Sequence, residues 1–232
     1  MECQTIHLRD LTPQESLAQF DVAVVIDVIR AFTVAPWILA QGAATLLLAP
    51  NADVAVTSKA DRYPHALLLK DGPPDPRFDL PNAPGRIAQE DLHGDTVIQT
   101  TGNGTRGAHA VAAIPTVLCA SFVTAAATAE VVGLHKKALL LTTEGDEDTA
   151  LAEYLQALVS GFTPDPTPYL RRVAASNAGA ECAQRGKDPG YPGFHVDDLD
   201  RCLELDKFNY ALRLHRDGDL LAVTALAYAS GV

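Results

Sequence analysis

Two short stretches hold the residue types that anion chemistry requires. Asp27 and Arg30 stand three apart in VVIDVIRAF, and Asn103, Gly104, Thr105 and Arg106 run together in QTTGNGTRG. A carboxylate is a hard oxygen ligand suited to Mg2+, and a guanidinium is a planar fork matched to phosphate, sulfonate or carboxylate. Asp27 interrupts an apolar run, where an unpaired charge is costly, so it needs a partner. An ion pair with Arg30 would supply one. A bound cation would supply another and leave Arg30 to clamp an anion. In the second stretch, Gly102 and Gly104 let backbone N–H groups come close to an anion, Thr105 can cap a helix or donate its hydroxyl, and Arg106 adds a fork. A Gly-rich turn whose Asn103 and Thr105 satisfy only local backbone groups accounts for the same residues. Neither a Walker nor a dinucleotide-binding fingerprint is present.

Other candidates carry less. The acidic run EGDEDTALAE, residues 144–153, is expected to be a solvated helix start, because carboxylates suit that end of the dipole, rather than a source of metal ligands. His109 falls on a helix flank and reads as structural or exposed, not as a general base. Cys3, Cys119, Cys182 and Cys202 are scattered, without CxxC spacing, and read as free thiols packed as small hydrophobes. Trp37 reads as core.

The elements that must position these residues follow from apolar patterning. Runs at 23–28, 45–50, 66–71, 96–101, 116–121 and 137–143 are short and almost wholly hydrophobic, as strands buried on both faces are. Ala-rich, helix-sized segments at 33–42, 51–60, 105–113, 123–135 and 147–161 lie between them. The alternation predicts an α/β fold with a parallel or mixed sheet covered by helices. Proline-rich connections fill 70–86 and 161–169, and RLHRDGDLLAV at 213–223 predicts a hairpin with Asp217 and Gly218 in its turn. VVIDVIRAF and VIQTTGNGTRGA echo each other as strand, polar turn, arginine and helix. Ligands of open α/β sheets collect beyond the carboxyl ends of strands, so these two turns are expected to share a cleft.

At 232 residues the chain suits one unit, 1–232, or two interlocked halves of about 1–115 and 116–232. Its formal net charge of -11 argues against nucleic acid or anionic lipid as the main partner, so any anionic substrate must be held by local groups. The start MECQTIHLRDLTPQ has no basic segment leading into an apolar run, and no stretch reaches membrane-spanning length; a cytoplasmic location without membrane contact is expected.

Taken in order, VVIDVIRAFT, FDLPNAP, GNGTRG and DDLDRCLELDKFNYAL resemble the ComB family, the magnesium-dependent 2-phosphosulfolactate phosphatases, over about residues 24–212. The resemblance implies an α/β fold with two related halves, Mg2+ as cofactor, and hydrolysis of a small anionic phosphate ester, 2-phospho-3-sulfolactate, in coenzyme M synthesis. Carried over residue by residue, it makes Asp27, Arg30, Asn103 and Arg106 the catalytic set, with Asp27 and Asp79 on the metal and the two arginines on the substrate's anionic groups. Gly104, Thr105 and Asn82 become substrate-binding positions. Attack by water is simpler than an aspartyl intermediate. A homo-oligomer is the assembly to test.

The chain departs from the family pattern in places. KDGPPDPRFD replaces a Gly-Glu-Arg-Gly type stretch, with Asp71 and Arg77 as nearby substitutes. Pro81 and Ala83 replace Gly and Ser, and Gly102 and Phe32 each replace Thr. In the third turn Glu153 is set near the family's acidic pair and Gln156 near its cysteine. These departures support a second reading, an impaired ComB-like protein that binds a small anion or a partner without turnover.

Overall fold

The computed structural model describes residues 1–12 and 17–227. Its strands are β1 (Glu2–His7), β2 (Val22–Ile26), β3 (Thr45–Leu48), β4 (Leu67–Lys70), β5 (Leu80–Pro81), β6 (Thr96–Thr100), β7 (Thr116–Ala120), β8 (Lys137–Thr142), β9 (Tyr210–Asp217) and β10 (Leu220–Ala227). The six apolar runs read as strands form β2, β3, β4, β6, β7 and β8. Helices α1 (Ala31–Ala40), α2 (Ala52–Asp61), α3 (Pro84–Ile87), α4 (Gly104–Ala110), α5 (Ala125–Gly133), α6 (Asp146–Val159), α7 (Thr167–Ala175), α8 (Asn177–Arg185) and α9 (Asp198–Cys202) connect them.

All ten strands join one sheet in the order β1-β8-β2-β7-β9-β10-β3-β6-β4-β5. β1, β8, β2 and β7 are mutually parallel, as are β3, β6, β4 and β5. The antiparallel hairpin β9–β10 lies between these sets and pairs antiparallel with both. Leu220 pairs with Asp217, so the hairpin turn is Gly218-Asp219, with Gly218 at φ 62°. Strands from the two sides of residue 115 interleave, since β2 lies between β8 and β7.

Successive residues of β2 point to opposite faces. Val22, Val24 and Ile26 pack with Ala129, Val132, Leu151 and Leu155 of α5 and α6. Ala23 and Val25 join a core that also holds Phe32 and Ile38 of α1, Val111 beyond α4, and Leu46, Leu69 and Val97 from the other parallel set. One core thus serves both sets. Strand twist of roughly 20–25° per step, accumulated across the hairpin, lets two oppositely directed sets wrap the same helices. α1 tolerates Pro36 because the carbonyl it leaves without a helical donor, that of Phe32, accepts from Ser121 Oγ at 3.0 Å.

Cys119, Cys182 and Cys202 are buried and free, and burial pushes all three thiols up. His109 is structural: its Nε2 donates to the Leu48 carbonyl at 3.0 Å. Among the described residues no helix is long and apolar enough to cross a membrane.

Candidate active site

Asp27 follows the last residue of β2 and is 6% exposed. Its Oδ1 accepts the Ala31 N–H at 2.9 Å, closing the first turn of α1. The Gly104 N–H, at the start of α4, is a second backbone donor to the same carboxylate. Burial raises the Asp27 carboxyl most; the Ala31 N–H opposes this, the charges of Asp71 and Glu147 reinforce it, and the group reaches about 7. α4 approaches so closely that a Cβ at Gly104 would lie 2.7 Å from both Ala31 Cβ and Asp27 Oδ2. Gly104→Ala is therefore expected to lower the unfolding free energy by about 2 kcal/mol in urea titration. Gly102→Ala, whose Cβ would meet only Asp71 Oδ2 at 3.6 Å, should cost less than about 1 kcal/mol. Equal losses would refute the close contact.

The glycine turn spends its N–H groups on carboxylates. Besides the Gly104 bond to Asp27, the Gly102 N–H donates to Asp71 Oδ2 at 2.9 Å. Thr105 is fully buried: its Oγ1 accepts from the Thr101 N–H at 2.9 Å and its N–H donates to Thr101 Oγ1 at 3.1 Å, so it locks the turn instead of facing a ligand. Asn103 reaches the β8–α6 turn, where Nδ2 donates to Glu144 Oε2 at 2.6 Å.

The acidic run corrects the expectation of a solvated helix start. Glu147 and Asp148 are 2% and 1% exposed. Asp148 Oδ1 accepts the Val28 N–H at 2.8 Å, while Oδ2 accepts from Thr143 N, Thr143 Oγ1 and Glu144 N at 3.0, 3.0 and 2.9 Å. Burial and then the Asp27 charge push the Asp148 carboxyl up, against the pull of these donors. Glu147 and Asp148 are thus the buried carboxylates of the third turn. Glu153, assigned there from sequence, is exposed and pairs with Arg172, and Gln156 is exposed farther along α6.

Arg30 does not pair with Asp27. Its Nη1 donates to Asp198 Oδ2 at 2.5 Å and to the Gly193 carbonyl at 3.0 Å, and its guanidinium lies 3.9 Å from the Phe194 ring centroid. Asp198, fully buried at the start of α9, also accepts the Gly85 and His195 N–H groups, each at 2.9 Å. Asn82 is 3% exposed, and its Oδ1 accepts from Gln99 Nε2 at 3.0 Å. The same Nε2 donates to the Ala31 carbonyl at 3.1 Å, which fixes the Gln99 amide and leaves Asn82 Nδ2 for the cleft.

Asp27, Arg30, Asp71, Asn82, Thr101 and Asn103 line one cleft of about 450 Å3, closed on its other side by Gly72–Pro74 and Gly190–Phe194. Four predicted site residues do not line it: Gly104 and Thr105, which lie buried in the turn behind Asp27, and Arg106 and Asp79. Arg106 is exposed on α4 and absent from the cleft lining. Asp79 accepts from the Leu68 N–H at 2.8 Å, pairs with Lys59 at 3.1 Å and lines a neighbouring hollow, because β5 carries it beyond β4. Arg77 pairs with Asp75 in the same region. Among the described residues no three His, Cys, Asp or Glu side chains group closely enough to hold a metal by themselves. Mg2+ needs only one or two carboxylates, since it keeps waters and binds substrate phosphate, and Asp27 with Asp71 meets that requirement.

The profile described as 2-phosphosulpholactate phosphatase matches residues 6–176. A Bacillus subtilis protein is 31% identical over 218 residues, covering 88% of this chain and 92% of its own. A Thermus thermophilus protein is 33% identical over 220 residues, covering 79% and 92%. A Thermoplasma acidophilum protein is 28% identical over 213 residues, covering 88% and 90%. Each is named "Probable 2-phosphosulfolactate phosphatase". With most of its length matched, and with the matched part supplying Asp27, Arg30, Asn82 and Asn103, the chain belongs to the 2-phosphosulpholactate phosphatase family.

Proposed function

We propose that the cleft hydrolyses 2-phospho-3-sulfolactate to 3-sulfolactate and phosphate, with Mg2+ as cofactor. The supporting observation is the convergence of two carboxylates, Asp27 and Asp71, with Arg30, Asn82 and Asn103 in one cleft of a chain from this family. The donor set fits the ion: both groups offer hard oxygens, and a cation relieves the repulsion that helps lift Asp27 to about 7. Asp27 and Asp71 would hold it. When bound, Mg2+ supplies Lewis-acid polarisation of a phosphoryl oxygen and lowers the pKa of a bound water.

The chain's own residues bind and orient. Asp198, Gly193 and Phe194 fix the Arg30 guanidinium, so its remaining N–H groups are presented without further ordering. Asn82 Nδ2 donates to a second oxygen, its plane set by Gln99. Charge in phosphoryl transfer spreads over the equatorial oxygens, where fixed donors suffice without a protein nucleophile. The Gly72–Pro74 and Gly190–Phe194 segments form the wall opposite these groups.

The test is phosphate release from 2-phospho-3-sulfolactate. Release in Mg2+, abolished by a chelator and restored by added Mg2+, is expected. Folded protein that binds 3-sulfolactate yet releases no phosphate would replace turnover with binding alone.

A further inference from the structure

The cleft contains a second arginine that the family match does not reach. Arg185 ends α8, beyond the matched residues 6–176, and lines the cleft with Arg30. Its guanidinium lies 4.7 Å from the Tyr191 ring centroid and 5.5 Å from that of Phe194, the ring that also carries Arg30 at 3.9 Å. The two guanidinium groups therefore flank a single aromatic side chain. The loop holding these rings is pinned: the Tyr191 N–H donates to the Asp188 carbonyl and the Phe194 N–H to the Tyr191 carbonyl, both at 3.0 Å. A Cβ at Gly186 would lie 2.5 Å from the His195 carbonyl oxygen, so only glycine lets the chain turn there.

The two arginines differ in what neutralises them. Arg30 is 6% exposed and bound to fully buried Asp198. Arg185 is 39% exposed, and its partner Glu181, 2.7 Å away and 48% exposed, also lines the cleft. An ion pair this exposed contributes about 0–1 kcal/mol, so an incoming anion can displace it. The end of a helix also favours a cation there.

We propose that Arg185 binds a second anionic group, a carboxylate or sulfonate on the alcohol portion of the ester, and that the site thereby selects phosphate esters carrying an additional negative charge. Glu181 acts in the opposite sense, competing for Arg185 and repelling the same group. This assignment rests on the phosphatase reading above and deepens it.

The test compares 2-phospho-3-sulfolactate, 2-phospholactate and isopropyl phosphate, which remove the additional anions stepwise. Arg185→Gln should lower kcat/KM for phosphosulfolactate about 30-fold while changing isopropyl phosphate less than about threefold. Glu181→Gln should raise kcat/KM for phosphosulfolactate about threefold. Equal losses on all three esters, or no loss on phosphosulfolactate, would overturn the assignment. If the parent protein hydrolyses none of them, the phosphatase reading fails by itself, and calorimetric binding of 3-sulfolactate decides this one. Binding weakened by Arg185→Gln sustains the anion pocket, and unchanged or undetectable binding removes it.

Discussion

Asp27→Asn is expected to lower Mg2+-supported kcat by at least about 10³-fold and yet to make the metal-free chain more stable at pH 8 by about 2 kcal/mol. The opposing effects share one cause. Asp27 is nearly dry and stands beside Asp71 and Glu147, so its carboxyl rises from 3.8 to about 7. That rise corresponds to about 4 kcal/mol of strain when the group is ionised. Asn removes the charge and keeps the Ala31 bond, but sets its amide against the Gly104 N–H at a cost of about 1–2 kcal/mol. The pH dependence has a definite sign. Because the folded value lies above the unfolded one, protonated Asp27 contributes stability in full below about pH 4, and the contribution is lost as pH rises through about 7. Urea titrations in chelator should show the variant's advantage at pH 8 and none at pH 4.5. Saturating Mg2+ should restore the parent's stability at pH 8 and leave the variant unchanged. A variant less stable than the parent at both pH values would refute the account.

Asp198→Ala is expected to cost about 3–5 kcal/mol of stability and about 100-fold or more in kcat/KM. Alanine would leave the buried Arg30 guanidinium without its carboxylate and strand the Gly85 and His195 N–H groups. The diagnostic is a double variant. Arg30→Met combined with Asp198→Ala removes the unpaired charge and should be more stable than Asp198→Ala alone, although inactive. A simple sum of the two single losses would show that the pair is not a coupled unit. Where Asp198→Ala fails to fold, Asp198→Asn preserves the side-chain volume and should retain stability better than activity.

What could be read from the sequence follows the range of the interactions. Buried parallel strands announce themselves as uninterrupted apolar runs, so six were legible, while β1 was not: on this edge strand only Ile6 is buried. DVIRA and GNGTR were identifiable as neighbours in one cleft, although the strands leading into them, β2 and β6, belong to oppositely directed sets and are not adjacent. Which side chains face that cleft was not. Arg30 meets Asp198 from 168 positions away, and Asp148 accepts the Val28 N–H from 120 positions away. Asp198 lies in the DDLDRC stretch and Asp148 in the acidic run, but neither stretch names its distant partner, and carboxylates at a helix start satisfy the dipole equally well when solvated. Arg106 looked like Arg30 by motif, yet a position three residues past Asn103 on α4 turns it outward. Asp71 had one clue, its place in the altered loop before Phe78.

The hairpin at the middle of the sheet is made from residues 210–227, near the end of the described chain. β7 and β3 have no ladder in common; on its inner edge each pairs with one arm of that hairpin. Until residues 210–227 are synthesised, both parallel sets have an unpaired inner edge, and no strand translated earlier fills it. The ladder across the middle of the sheet therefore closes only once this hairpin has emerged. Such distant pairing is slow and leaves strand edges open in the meantime, so the nascent chain is prone to association until β9 and β10 emerge.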